Sequence, residues 1–132
     1  MKKVYPIVLI KTADDIVVYI PDFNINTEGK DYSEAIFMAR DAIGLLGIEL
    51  EDQGKTLPEP SEISNVKKEN EGDIVTLVDI DFTEYRRKND MKTVRRNVSL
   101  PSWLDAEAEK AGINVSALLQ AALKKELKLD NI

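Results

Sequence analysis

Two residue types are missing from this chain of 132 residues: it has no cysteine and no histidine. Without cysteine there is no disulfide, no thiolate metal site and no cysteine nucleophile. Without histidine the commonest general base and the commonest transition-metal ligand are gone too. Nor is there an apolar run of about 18 residues, the length a membrane-spanning helix needs. The basic start Met1-Lys2-Lys3-Val4-Tyr5-Pro6 is followed by continuous apolar sequence only from Ile7 to Ile10. That is too short for the central region of a signal peptide. The expectation is a soluble cytoplasmic protein that is not an enzyme, with no catalytic residues, no cofactor, no metal and no membrane contact.

Hydrophobic residues make up 43% of the chain, enough for a packed core. The net charge of −6 is unevenly spread. Residues 1–82 hold 8 Lys+Arg against 17 Asp+Glu, and residues 83–132 hold 10 against 7. An acidic front joined to a basic back suggests two partners. The back is suited to phosphates, and the front to a basic protein.

Val4 to Ile10 and Ile16 to Ile20 are β-branched and apolar, and the polar Thr12-Ala13-Asp14-Asp15 lies between them, so a hairpin is predicted. Pro21-Asp22 breaks the second strand. A third is expected over Phe23 to Glu28, closed by Gly29. Asp31-Tyr32-Ser33-Glu34 has capping-box spacing, and Tyr32 is suited to staple the helix entry. Behind it Ile36, Ala39, Ile43, Leu46 and Leu50 form one apolar stripe, predicting a helix at about 32–52 that stops at Gly54. After the proline-stiffened Thr56 to Ser61, strand character returns from Asp73 to Phe82. Ile74, Thr76, Val78, Ile80 and Phe82 are expected on one face, and Asp79 and Asp81 on the other. The front therefore reads β-β-β-α-β. The charged stretch from Thr83 to Lys92, with Arg86-Arg87-Lys88, reads as a solvated linker that would add some phosphate affinity at most.

Lys92 to Pro101 alternates: Val94, Val98 and Leu100 point one way, with Arg96 as the exception, and Arg95, Asn97 and Ser99 point the other. Pro101 ends this strand. A helix is expected from Ser102 to Ala111, stopped by Gly112. Asn114 then caps a second helix with an apolar face of Val115, Leu118, Leu119, Ala122 and Leu123, extended by Leu127. So small a unit cannot bury its apolar face alone, and a lone strand leaves both edges unpaired. A two-fold dimer with antiparallel strands solves both problems. Its ribbon fits a DNA major groove, where Arg reads guanine and Asn reads adenine. The N–H groups of Val115 and Ser116 at the second helix start suit a phosphate. The plainer alternative is that Arg95, Asn97 and Ser99 are the wet face of an ordinary edge strand. Trp103 reads as packing or a dimer contact.

The basic alternating strand, the "SLP" turn, the short helix, "AGINVS" and the apolar helix together resemble the ribbon-helix-helix family. That resemblance implies base reading by Arg95, Asn97 and Ser99, and a phosphate clamp at Asn114, Val115 and Ser116. The front half is similar to the N-terminal domain of HicB-type antitoxins. The likeness rests on Tyr5-Pro6, Pro21-Asp22, Gly29 with Asp31, the Glu34-Ala35 helix start, and Gly54 with Leu57-Pro58-Glu59-Pro60-Ser61. Where many relatives carry a Pro-Gly-Cys-like turn, this chain has Asn24-Ile25-Asn26. The resemblance implies an α+β protein in three parts. Residues 1–82 form a shortened RNase H-like domain that binds and blocks a HicA-type mRNA-cleaving toxin. Residues 83–90 are a linker. Residues 91–132 form a ribbon-helix-helix domain that dimerises, with association into a higher oligomer open, and binds operator DNA to repress its own operon.

Two alternatives stay open. One is a stand-alone regulator whose front domain binds a ligand or another protein. The other is a metal-dependent nuclease using Asp14, Asp15, Asp22, Asp79 and Asp81. Against the latter, Asp14 and Asp15 lie in a turn, and Asp79 and Asp81 alternate outward. Asp22 reads first as a turn acid and second as a toxin contact.

Overall fold

In the computed structural model, which describes residues 1–90 and 92–129, the apolar N-terminal run forms β1 (Lys2–Lys11) and turns back into β2 (Ile16–Ile20). The hairpin loop closes on itself. Thr12 N–H donates to the Asp15 carbonyl at 2.9 Å, and Asp15 N–H donates to Thr12 Oγ1 at 3.1 Å. Val8 faces Tyr19 across this pair. β3 (Ile25–Gly29) adds antiparallel to β2. β4 (Ile74–Asp81) adds antiparallel to the other side of β1, with Lys2 opposite Asp81 and Leu9 opposite Ile74. The sheet order is β3-β2-β1-β4.

Helix α1 (Tyr32–Asp52) lies between β3 and β4 in the chain. The Asp31 carboxylate accepts the Glu34 N–H at 2.8 Å, as the capping pattern predicts. Beyond Gly54 the Lys55 N–H reaches back to the Leu50 carbonyl at 2.9 Å, which ends the helix. The buried stripe shares Ala39 and Ile43 with the expected one and otherwise differs. It consists of Ala35, Ala39, Ile43, Gly44 and Gly47, while Ile36, Leu46 and Leu50 are only half-buried. The reason is close approach. A Cβ on Gly29 would stand 2.4 Å from the Ala35 nitrogen, so β3 and α1 meet backbone to backbone. Small residues therefore occupy the line of closest contact. The core joins Ala35, Ala39 and Ile43 to Tyr5, Ile7, Leu9, Ile16, Val18, Ile20, Val78 and Ile80 of the sheet. Of the five residues expected on that inner face, Val78, Ile80 and Phe82 are buried and Thr76 is half-buried, whereas Ile74 at the start of β4 is exposed.

The sequence reading of residues 83–90 as a linker is overturned. Phe82–Asn89 is a helix, α2. Asp81 caps it by accepting the N–H groups of Thr83 at 3.1 Å and Glu84 at 3.2 Å. Its rings lie on the glycines of α1: a Cβ on Gly47 would be 2.1 Å from Phe82, and one on Gly44 would be 2.5 Å from Tyr85. Arg86, expected in solvent, donates to Asp52 at 3.0 Å and Asp90 at 3.2 Å. Strand β4 and α2 are thus continuous. Phe82 closes the core as the first residue of a helix rather than the last of a strand.

The chain divides into two compact units, Met1–Asp90 and Met91–Ile132. In the second, α3 (Ser102–Lys110) and α4 (Val115–Glu126) stand where the sequence places them. Gly112 between them takes φ +67, the left-handed conformation that glycine adopts without strain. The segment 92–100 is in neither helix nor strand in the single chain.

Gly47→Ala should destabilise the protein by about 1–3 kcal/mol in urea unfolding, because the added methyl displaces the Phe82 ring. Gly72→Ala, where nothing lies within 4 Å, should change stability by less than about 0.5 kcal/mol. Equal effects would remove the Gly47–Phe82 contact from the account.

Candidate functional site

Three segments far apart in the front sequence converge at one end of the sheet. Tyr5 is fully buried, and its hydroxyl donates to the Pro58 carbonyl at 2.8 Å. Its ring meets Phe23 edge-on with centroids 5.0 Å apart. The Asp22 carboxylate accepts the Ser61 N–H at 2.9 Å on one oxygen and the Ser61 hydroxyl on the other. Lys3 Nζ stands 3.7 Å from Glu59. Asp22 therefore binds the segment leaving α1, a long-range contact and not the local turn bond that its first reading expected. Burial, helped by the charges of Asp22 and Glu59, pushes the Tyr5 phenol up to about 12. The Asn24 turn takes φ 51, and the Asn24 side chain accepts the Tyr19 hydroxyl at 3.1 Å. Asparagine tolerates that conformation better than most residues.

The remaining front acids are dispersed. Arg40 of α1 donates its Nε to the Asp79 carbonyl at 2.8 Å and its Nη2 to the Asp79 carboxylate at 3.1 Å. The hydrogen bond from Arg40 holds the Asp79 carboxyl below its ordinary value. Asp81 caps α2. Asp14 lies in the hairpin turn, and the Asp15 carbonyl accepts from Thr12 there. Among the described residues no three acidic side chains gather as a metal ion would require.

The second unit is built differently. From 92 to 129 no residue is buried, and only Ala108 and Leu129 are even half-buried. Val94 is 85% exposed, and Val98, Leu100, Leu118 and Leu123 are exposed with it. Arg95, Asn97 and Ser99 are exposed within the segment 92–100. The strand expected there is not formed in the single chain: strand hydrogen bonds need a second strand, and the described residues of this unit supply none. Asn114 caps α4 by accepting the Ala117 N–H at 3.1 Å. Val115 and Ser116 follow in the first turn, where a helix has no internal acceptor for N–H groups. Asn114 and Ser116 also border a shallow cleft with Gln120 and Lys124. The structure thus brings Asn114, Val115 and Ser116 together, and sets Arg95, Asn97 and Ser99 alternately along one exposed segment.

The sequence reading missed α2 and its seat on α1. A signal was present: Asp81, Thr83 and Glu84 followed by Arg86, Arg87 and Lys88 give an acidic start and a basic end, the charge order of a helix. Gly44 and Gly47 in the middle of α1 marked the flat seat.

With this geometry in place, comparison identifies the class as an antitoxin of a bacterial toxin–antitoxin system, since residues 5–123 match the model of the HicB_like antitoxin of bacterial toxin-antitoxin system. The chain belongs to the HicB-like antitoxin family. No curated protein matches the sequence. Among solved structures, the Burkholderia pseudomallei antitoxin HicB is 25% identical with a TM-score of 0.56, covering 95% of this chain and 96% of that one. A chain of a toxin–antitoxin complex from Streptococcus pneumoniae has the same fold, with 23% identity and a TM-score of 0.61 over 96% of this chain and 99% of that one. A chain of a HicA3 and HicB3 toxin–antitoxin complex is 26% identical with a TM-score of 0.50, covering 60% of this chain and 99% of that one. No helix among the described residues is long and apolar enough to cross a membrane.

Tyr5→Phe should cost about 1 kcal/mol at neutral pH through loss of the Pro58 hydrogen bond. The phenol is raised in the fold, so its contribution is complete below its ordinary value of 10.0 and is lost as pH rises towards about 12. The variant should therefore lose less stability than the parent between those limits. Parallel alkaline unfolding curves for the two proteins would contradict this.

Proposed function

We propose that the chain is the antitoxin of a type II toxin–antitoxin pair, with one unit for each of two partners. The front unit is a shortened RNase H-like domain that binds and neutralises a HicA-type mRNA-cleaving toxin. It has no catalytic role of its own. Its family and the HicA3–HicB3 complex among its structural relatives support this. So does its charge, 19 carboxylates against 11 cations in residues 1–90, which suits a basic ribonuclease. The second unit, residues 91–132, is a ribbon-helix-helix domain that dimerises and binds the operator of its own operon.

One observation carries the second half of this reading: a unit with two capped helices and a patterned apolar face buries none of its described residues in the single chain. Exposed apolar surface on this scale marks an association site. A second copy supplies what is missing, since segment 92–100 of each chain gives the other a strand partner, and Val94, Val98 and Leu100 then close over Leu104, Leu118 and Leu123. The outward face of the paired strands carries Arg95, Asn97 and Ser99 twice. Asn114, Val115 and Ser116 clamp the flanking phosphates.

The double variant Arg95→Ala, Asn97→Ala should weaken operator binding at least 100-fold, on the scale of about 1–3 kcal/mol for each lost base contact, while leaving toxin binding unchanged. An unaltered operator shift would refute the assignment of the reading face. Trp103, the sole tryptophan and 68% exposed, should report dimer formation by a fluorescence change on dilution. A single species of 14.8 kDa at all concentrations would overturn the dimer.

A further inference from the structure

A groove of about 350 Å³ opens in the front unit where α1, the end of β4 and α2 meet. Ile80 and Tyr85, which belong to the packed interior or border it, form part of its lining. Beside them stands Phe37, 61% exposed, one turn before the part of α1 that α2 covers. A large aromatic ring held in water at the mouth of an apolar groove is costly to the free protein. Phe37 has no role in the core described above.

The charges around it are unequal in kind. Asp41, Asp81 and Glu84 line the groove, together with Arg40 and Lys88. Both cations are engaged within the fold: Arg40 with Asp79 at 3.1 Å and Lys88 with Glu84 at 2.9 Å. Among the described residues Asp41 accepts only the neutral Tyr85 hydroxyl, at 3.0 Å. Asp81 accepts backbone N–H groups, with the N-terminal ammonium 3.6 Å away. Among the described residues Asp41 thus pairs with no cation, while Asp81, whose contacts with the N–H groups and the ammonium all fall on Oδ1, keeps its second oxygen for a cation from outside, in a unit whose overall charge attracts one.

We infer that this groove is the surface on which the basic toxin docks. It takes one apolar side chain of the toxin between Phe37 and Tyr85, flanked by Lys or Arg side chains that meet Asp41 and Asp81. The assignment rests on the proposed role of the front unit and adds the place and the chemistry of contact. An aromatic anchor ringed by polar groups is the usual make-up of an energetic centre in a protein interface.

The test uses the full-length chain and the HicA-type toxin of the same operon in a binding titration. Phe37→Glu should weaken the complex at least tenfold and Phe37→Leu by less than threefold, and raising the salt concentration should weaken the parent complex. Because Phe37 is exposed, thermal midpoints should match across the three proteins. Parent-like binding by Phe37→Glu would overturn the groove and leave the toxin-binding role standing. Failure of the parent itself to bind would overturn that role and the groove with it. A change in the mass of the free Phe37→Glu chain would make the groove a contact between copies and would also overturn the proposal.

Discussion

The front unit depends on the thinness of α1. Ala35 and Ala39 let the helix lie on the sheet, close enough that Gly29 and the Ala35 backbone admit no side chain between them. Gly44 and Gly47 then give α2 a seat for the rings of Tyr85 and Phe82. One helix thus joins two layers because its contact lines are made of the smallest residues. A bulkier stripe would bury more area per residue, but it would push the sheet and α2 apart and cost close packing on both sides. Arg86 locks the arrangement electrostatically, bonding to Asp52 of α1 and to Asp90 beyond the end of its own helix.

The same constraint explains where the sequence was legible. The strands of β1 and β2, the Asp31 cap, the span of α1, the Gly112 stop after α3 and the Asn114 cap of α4 follow from local rules of alternation, capping and glycine placement, and each is found in the structure. The buried face of α1 followed only in part: Ala39 and Ile43 were expected there and are buried, but the rest of the deepest line was not. Hydrophobicity singles out Ile36, Leu46 and Leu50, whereas proximity selects Ala35, Gly44 and Gly47, and proximity is a tertiary fact. Helix α2 was lost for a related reason. Arg86-Arg87-Lys88 reads as a solvated run until the carboxylates at the end of α1 are seen beside it. The converging contacts of Tyr5, Asp22 and Ser61 were visible only as separate resemblances, since residues 39 apart in sequence give no local sign that they touch.

The two units represent opposite solutions to the problem of a small core. The first closes its own, with Tyr5, Ile7, Ile43 and Phe82 at or near full burial. The second has the caps and turns of a finished structure and leaves its apolar face uncovered. Its helix boundaries could be read from sequence because caps act locally. Its residues 92–100 form no strand in the single chain, where none of the described residues of that unit offers a strand to pair with. The expected site residues divide along the same line: Asn114, Val115 and Ser116 are set by a helix start, while Arg95, Asn97 and Ser99 lie in a segment that is neither helix nor strand.

The contact between Arg40 and β4 has a further consequence. β4 is an outer strand, paired only with β1, and outer strands invite uncontrolled growth of the sheet by intruding chains. The guanidinium of Arg40 occupies the carbonyl of Asp79 as well as its side chain, so that acceptor is not on offer to a stranger. A residue that looks like half of a surface ion pair thereby serves as a guard against aggregation. Its replacement by a shorter side chain would be felt less in the folding equilibrium than in the shelf life of a concentrated solution.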